Sequence, residues 1–234
     1  MKKFITFIGN NNAKMFVNYK KLYVINKSLT PKTIKEKIGN NMLTIEHIVP
    51  KSFAKTNCNS NRDLHLLTSY SSGLNSHKNN YVYSNDHTIS NKRKMLDFNG
   101  NLINCLPNVG KDLISLKNDK EKTFTPANIY KGIISRSIMY HFTCYPQYKK
   151  KVFEEIIDMD ILANWHYQFP VTQEEFNRNL MVYYYQGNIN PFIIYPELTK
   201  YILEKKFNTK FNYLEDFNYR KNFYNHCQTL PIKH

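Results

Sequence analysis

The run Met42-Leu43-Thr44-Ile45 leads into Glu46-His47-Ile48-Val49 and stops at Pro50. Proline fixes φ and has no N–H to give, so the apolar run reads as a strand that delivers Glu46 and His47 at its end and cannot continue as a helix. The stretch from Lys51 to Arg62 is rich in Asn and Ser and reads as a turn region. Leu64 to Thr68 then reads as a second strand, and Ser69 to Asn80 as a short helix that Gly73 weakens. Strand, turn, strand and helix in this order bring Glu46, His47 and Asn75 to one point.

The chemistry open to that trio is specific. Glu46 offers a carboxylate and Asn75 an amide carbonyl, both hard oxygen donors. A divalent ion held by so few protein ligands keeps several waters, which suits Mg²⁺, with Mn²⁺ or Ca²⁺ as alternatives. An unperturbed imidazole titrates at about 6.5, so His47 can serve as general base close to neutral pH. An adjacent Glu and His would by themselves be an ordinary surface pair. The segments Asp63-Leu64-His65-Leu66-Leu67 and Asn75-Ser76-His77-Lys78-Asn79-Asn80-Tyr81, at hairpin and helix spacing behind the pair, favour a single site. Asp63, His65 and Asn61 read as hydrogen-bonding supports of the hairpin, and Lys51, Lys55 and Lys78 as contacts to phosphate.

The charge agrees with a polyanionic partner. Lys+Arg number 33 against 18 Asp+Glu, for a net charge of +15. A field of that sign concentrates nucleic acid at a protein surface. An AT-rich coding bias accounts for part of the lysine count but not for the shortage of acids. Of the 4 cysteines, Cys58, Cys105, Cys144 and Cys227, no two form a CxxC pair. That spacing argues against a zinc knuckle and fits free thiols in a reducing compartment. The apolar run after Lys2-Lys3 is too short for a signal peptide, and no stretch approaches a membrane span. The expectation is an intracellular protein that does not engage membranes.

Along the chain, residues 1 to about 40 hold short apolar runs, Phe16-Val17 and Leu22-Tyr23-Val24-Ile25, which read as N-terminal strands. Residues 82 to 124 are polar, with a turn at Asn99-Gly100-Asn101. Thr125-Pro126-Ala127 has the chemistry of a helix start with Thr125 as N-cap, and Ile129, Ile133, Ile134 and Ile138 continue at helical spacing. Lys149 to Trp165 repeats that periodicity. Thr172-Gln173-Glu174-Glu175 is a capping box opening a third helix that Gln186-Gly187-Asn188 ends. Glu197 to Phe207 reads as a last short helix. The tail interleaves Phe211, Tyr213, Phe217, Tyr219, Phe223 and Tyr224 with lysines, a pattern that packs on a domain more often than it stacks bases. The class is α+β in a single domain: a core at about 40–82, a helical part at about 125–200 and a tail at about 201–234.

Glu46-His47-Ile48-Val49-Pro50, Asn61, Asp63 to Leu67 and Asn75 to Tyr81 together resemble the ββα-metal (His-Me finger) nuclease core. HNH nucleases match the first half nearly as well. The second half, with Trp165-His166, Phe169-Pro170-Val171-Thr172 and Gln186-Gly187-Asn188-Ile189-Asn190-Pro191-Phe192-Ile193, resembles the endonuclease I family, as does the stretch Lys131 to Ser137. The likeness covers roughly residues 40 to 200. It implies that Glu46 and Asn75 bind Mg²⁺, that His47 activates water, and that DNA, with RNA as an alternative, is cut without sequence preference to 5′-phosphate and 3′-hydroxyl ends. Relatives often clamp the scissile phosphate with an arginine from a longer insertion; here the gap is short, and Arg62 is the candidate. Ile189, Ile194 and Tyr195 replace polar residues of the family signature. Two rival readings remain: a sequence-specific HNH homing or restriction nuclease, and a noncatalytic nucleic-acid-binding or packaging protein on the same fold. An intracellular nonspecific nuclease also implies an inhibitor protein, a compartment, or a viral or mobile-element setting.

Overall fold

The computed structural model describes residues 19–39, 43–53, 59–85, 93–104, 110–148, 152 and 155–199. Phe16-Val17, Lys55, three of the cysteines and the aromatic tail lie outside the described residues.

From Tyr19, where the described residues begin, the N-terminal region is helical where strands were expected. Helix α1, Tyr19–Ser28, contains the whole run Leu22-Tyr23-Val24-Ile25, and α2, Lys32–Ile38, follows it. The run alternates neither in polarity nor in burial. Leu22 and Ile25 are buried while Tyr23 and Val24 face solvent, the three-residue spacing of one helix face. That face packs against Leu64, Leu67 and Val182, so tertiary contact overrides the β preference of Val and Ile. From the same helix, Asn26 Nδ2 donates to Ser69 Oγ at 3.1 Å and braces the next element.

Strand β1, Leu43–His47, pairs antiparallel with β2, Leu67–Ser71, in a register running from Leu43↔Ser71 to His47↔Leu67. The second strand starts later than Leu64, because Leu64–Leu66 forms a 3₁₀ turn whose N-cap is Asp63. Ser71 ends β2 and caps α3, Ser72–Lys78, its Oγ accepting from Leu74 N at 3.1 Å. Gly73 has a positive role there. A Cβ on it would collide with the Asn99 carbonyl, and one on Gly100 (φ +86°) would collide with Gly73 itself. The helix start and the Asp97–Asn101 turn approach backbone to backbone, which only glycine permits.

The described residues between 82 and 125, opaque in the sequence apart from that turn, form a five-stranded sheet. Its strands are β3 Val82–Tyr83, β4 Lys94–Leu96, β5 Leu102–Ile103, β6 Ser115–Asn118 and β7 Thr123–Thr125. The order is β3-β7-β6-β4-β5, with β3 parallel to β7 and the other pairs antiparallel. Strands of two to four residues leave too little sequence for a period-2 pattern to register.

Helix α4, Asn128–Cys144, is the buried centre of the second half. Thr125 is not its cap: it closes β7, and Ala127 occupies the N-cap position without a side-chain bond. Helix α5, Met159–Gln168, is capped by Asp158 and takes up the second part of the Lys149 to Trp165 pattern, of whose first part residues 149–151 and 153–154 lie outside the described residues. Half of the expected capping box forms: Thr172 Oγ1 accepts from Glu175 N at 3.2 Å at the head of α6, Gln173–Gln186, while the Glu175 carboxylate turns to Arg136. Gly187 ends α6 in the left-handed conformation at φ 83°, and α7, Pro191–Ile194, is capped by Asn190. Helices and two sheets make an α+β protein. Among the described residues, no helix is long and apolar enough to cross a membrane.

Candidate active site

The end of β1, the following turn and α3 surround a cleft of about 330 Å³ lined by Glu46, His47, Pro50, Lys51, Ser52, Asn75, Ser76, Asn79 and Asn80. The orientation of Asn75 follows from its donors. Its Nδ2 donates to Thr44 Oγ1 at 3.0 Å and to the Ile45 carbonyl at 2.9 Å. Both amide hydrogens are therefore spent on β1, and Oδ1 is the atom left to serve the cleft. His47 is oriented in the same way: Nε2 lies 3.1 Å from the Asn61 carbonyl, which can only accept. The ring must donate through Nε2, so the neutral tautomer carries its basic lone pair on Nδ1.

The electrostatics follow from burial. The His47 imidazole is pushed down to about 4, first by desolvation and then by the nearby Lys51 ammonium, with the Asn61 bond opposing. It is thus neutral at physiological pH and can accept a proton, though as a weaker base than the imidazole near 6.5 expected from the sequence. Glu46 is 4% exposed, and desolvation raises its carboxyl to about 7 against the opposing pull of Lys78. A buried carboxylate short of positive charge, beside an amide oxygen held in place, suits a hard divalent cation. Glu46 and Asn75 would hold such an ion. Among the described residues no group of three His, Cys, Asp or Glu is placed to hold a metal ion.

The cations differ from expectation. Lys78, read as a surface contact to phosphate, is fully buried. Its Nζ donates to the Tyr81 carbonyl at 2.9 Å and sits 4.4 Å from the centre of the Tyr83 ring. Helix geometry explains this: Lys78 lies one turn beyond Leu74, on the face that packs inward. Arg62 ends a 3₁₀ turn, is half-buried and is not among the cleft-lining residues. Lys51 is exposed and lines the cleft. Sequence reasoning passed over Ser52, Asn79 and Asn80, which carry no charge to mark them.

Behind the cleft, the second half of the chain grips the turn that holds Asn61. Asp63 is fully buried; its Oδ2 accepts from Tyr140 and Tyr145 hydroxyls at 2.7 and 2.9 Å, and its Oδ1 from Gln186 Nε2 at 2.7 Å. Gln186 returns an acceptor to Leu64 N at 2.9 Å, and His65 Nε2 donates to the Asn188 carbonyl at 3.1 Å. Arg178 donates to the Leu64 and Leu67 carbonyls at 2.8 and 2.9 Å. The Gln186-Gly187-Asn188 signature is thus a clamp on the hairpin. Replacing Asp63 by Asn leaves a donor facing tyrosine hydroxyls and should cost roughly 1.5–3 kcal/mol in urea unfolding, as bonds to charged groups typically do.

Burial also makes the fold sensitive to acid. Desolvation lowers His65 and His141 from 6.5 to about 4, and both ring nitrogens of the buried His141 lack a hydrogen-bond partner among the described residues. As pH falls below 6.5 the unfolded chain takes up protons that these folded rings refuse. Stability should therefore drop between 6.5 and about 4, by up to roughly 3 kcal/mol per ring. The raised Glu46 works the other way, lending stability at low pH that is lost as pH rises through about 7. With His47 and His166 lowered in the same way, four rings against one carboxyl leave the net slope positive. A urea midpoint that climbs on acidification would contradict this.

No curated protein matches the chain. The family model described as Endonuclease I matches residues 5–197, from the N-terminal region through α7 and the cleft between them. With that span over most of its length, the chain belongs to the endonuclease I family and is a nuclease by descent.

Proposed function

We propose that the protein is a Mg²⁺-dependent endonuclease that hydrolyses DNA, and RNA as a second substrate, without marked sequence preference. The observation that carries this reading is the common orientation of three side chains: Asn75 tied through Nδ2 to β1, Glu46 buried at the cleft, and His47 held through Nε2 by Asn61. When bound, the divalent ion would polarise a phosphate oxygen and offset charge on the departing oxygen. Glu46 and Asn75 fix where that help is given. His47 Nδ1 accepts the proton as a water oxygen bonds to phosphorus. The P–O3′ bond then breaks, its electron pair leaving with O3′, which takes a proton from solvent water, so that a 5′-phosphate and a 3′-hydroxyl remain. Lys51, at the cleft wall, takes the phosphate-clamping role in place of Arg62. The excess of positive charge supplies affinity that rests on phosphate, so binding weakens steeply with salt.

The test is direct. Supercoiled plasmid incubated with the protein and Mg²⁺ should be nicked and then reduced to a smear, and EDTA should prevent it. Discrete bands from several unrelated plasmids would favour a sequence-specific enzyme. Intact plasmid under all divalent ions tried would remove the enzymatic reading.

A further inference from the structure

Strands β4 and β6 set Lys94 directly opposite Lys117 in antiparallel register. Like charges so placed weaken a strand pair, which makes the arrangement a cost to the fold. One carboxylate answers both. Asp119, in the turn after β6, has Oδ2 at 2.7 Å from Lys94 Nζ and Oδ1 at 2.9 Å from Lys117 Nζ. The Tyr81 hydroxyl donates to the same Oδ1 at 2.9 Å. These are distances of charge-assisted hydrogen bonds, and they hold the Asp119 carboxyl well below the usual carboxylate range, Lys94 contributing most. Yet the Asp119 side chain is 40% exposed, and Lys94 is 54% exposed. Two ammonium charges and one carboxylate leave a positive excess, and in the same turn the exposed Lys120 and Lys122 outnumber the exposed carboxylate of Glu121 between them. The cluster also adjoins the cleft. Asn79 and Asn80 line the cleft, Tyr81 is the next residue, and Lys117 Nζ lies 5.0 Å from the centre of the Tyr81 ring.

We propose that Lys94, Lys117 and the Tyr81 hydroxyl form a second phosphate-binding site for the nucleic-acid strand as it leaves the cleft, with Asp119 standing in for that phosphate in the free protein. The inference rests on the nuclease reading above. A diester phosphate presents charged, non-bridging oxygens to the same three donors that now surround a carboxylate. An exposed carboxylate can swing into water and give them up, whereas a buried ion pair could not. The site therefore has a signature that a purely structural ion pair lacks: removing a lysine and removing the aspartate act in opposite directions on nucleic-acid affinity.

The measurement is equilibrium binding of a fluorescein-labelled DNA duplex by anisotropy over a range of salt, in EDTA so that cleavage plays no part. Loss of one phosphate contact shallows the slope of log K against log[salt] by about 0.9. Lys94→Gln should weaken binding with that loss of slope. Asp119→Asn should tighten binding, because no carboxylate then has to be displaced before the lysines meet phosphate. Asp119→Ala checks that the retained amide does not mask the effect, and melting curves confirm that each variant is folded. Weaker or unchanged binding by both folded Asp119 variants, or an unchanged slope for Lys94→Gln, overturns the proposal. Plasmid cleavage by the unaltered protein reads the nuclease assignment separately, so the two can fail independently.

Discussion

Plasmid cleavage by a His47→Ala variant is expected to fall about 10²- to 10⁴-fold, the usual contribution of a positioned general base. The expectation follows from the state of the ring. Burial and Lys51 keep it neutral, with its carboxyl neighbour Glu46 at the cleft and its Nε2 committed to the Asn61 carbonyl, so Nδ1 is the base that the chain offers to water. Alanine removes the base and that hydrogen bond together. His47→Gln separates the two effects, because a glutamine amide can still donate to Asn61 but cannot accept a proton near neutral pH. Both variants should remain folded and both should be impaired. If His47→Gln cleaves at the rate of the unaltered protein, His47 orients the turn and another group activates water.

The largest loss of stability is expected from Arg136→Met. Arg136 and Glu175 are 2% and 4% exposed and meet through two bonds, Nε to Oε1 at 2.7 Å and Nη2 to Oε2 at 2.6 Å. A third bond runs from Nη1 to the Phe169 carbonyl at 2.8 Å. Methionine fills much of the volume but strands the Glu175 carboxylate in the core, which typically costs 3–5 kcal/mol, in the order of about half the stability of a domain. Urea unfolding reads this directly. Arg136→Met combined with Glu175→Leu should recover most of the loss, because two apolar groups leave no charge buried. A loss below about 1 kcal/mol for the single variant would mean that the pair behaves as an exposed one. The effect should reach the cleft indirectly: the Arg136 carbonyl accepts from Asn190 Nδ2 at 3.1 Å, and the adjoining Asn188 holds His65.

How far the chain could be read depended on whether the signal was local. Glu46-His47 at the end of an apolar run before Pro50, the Thr172 N-cap and the Gly187 stop are each written within a few residues, and each stands where the sequence put it. The family, too, could be recognised from short motifs, and its model spans residues 5–197. Leu22 to Ile25 misled because a β-branched and aromatic run of four residues has the same composition in either state. Only the partners Leu64, Leu67 and Val182 select the helix. The five-stranded sheet escaped notice because pairing, not pattern, defines strands so short.

By itself the sequence determined which groups are available to the site: a carboxylate, an imidazole and an amide in hairpin-and-helix order, in a strongly basic chain. Tertiary structure decided what each can do. Hydrogen bonds from residues distant in the chain set which nitrogen of His47, and that the oxygen of the Asn75 amide and not its nitrogen, serves the cleft. Burial then turned Lys78 from a candidate phosphate contact into an internal charge beneath Glu46, and left Lys51 at the wall. The physical reason is that residue type fixes donors, acceptors and charge, whereas their direction and solvation depend on neighbours remote in the chain.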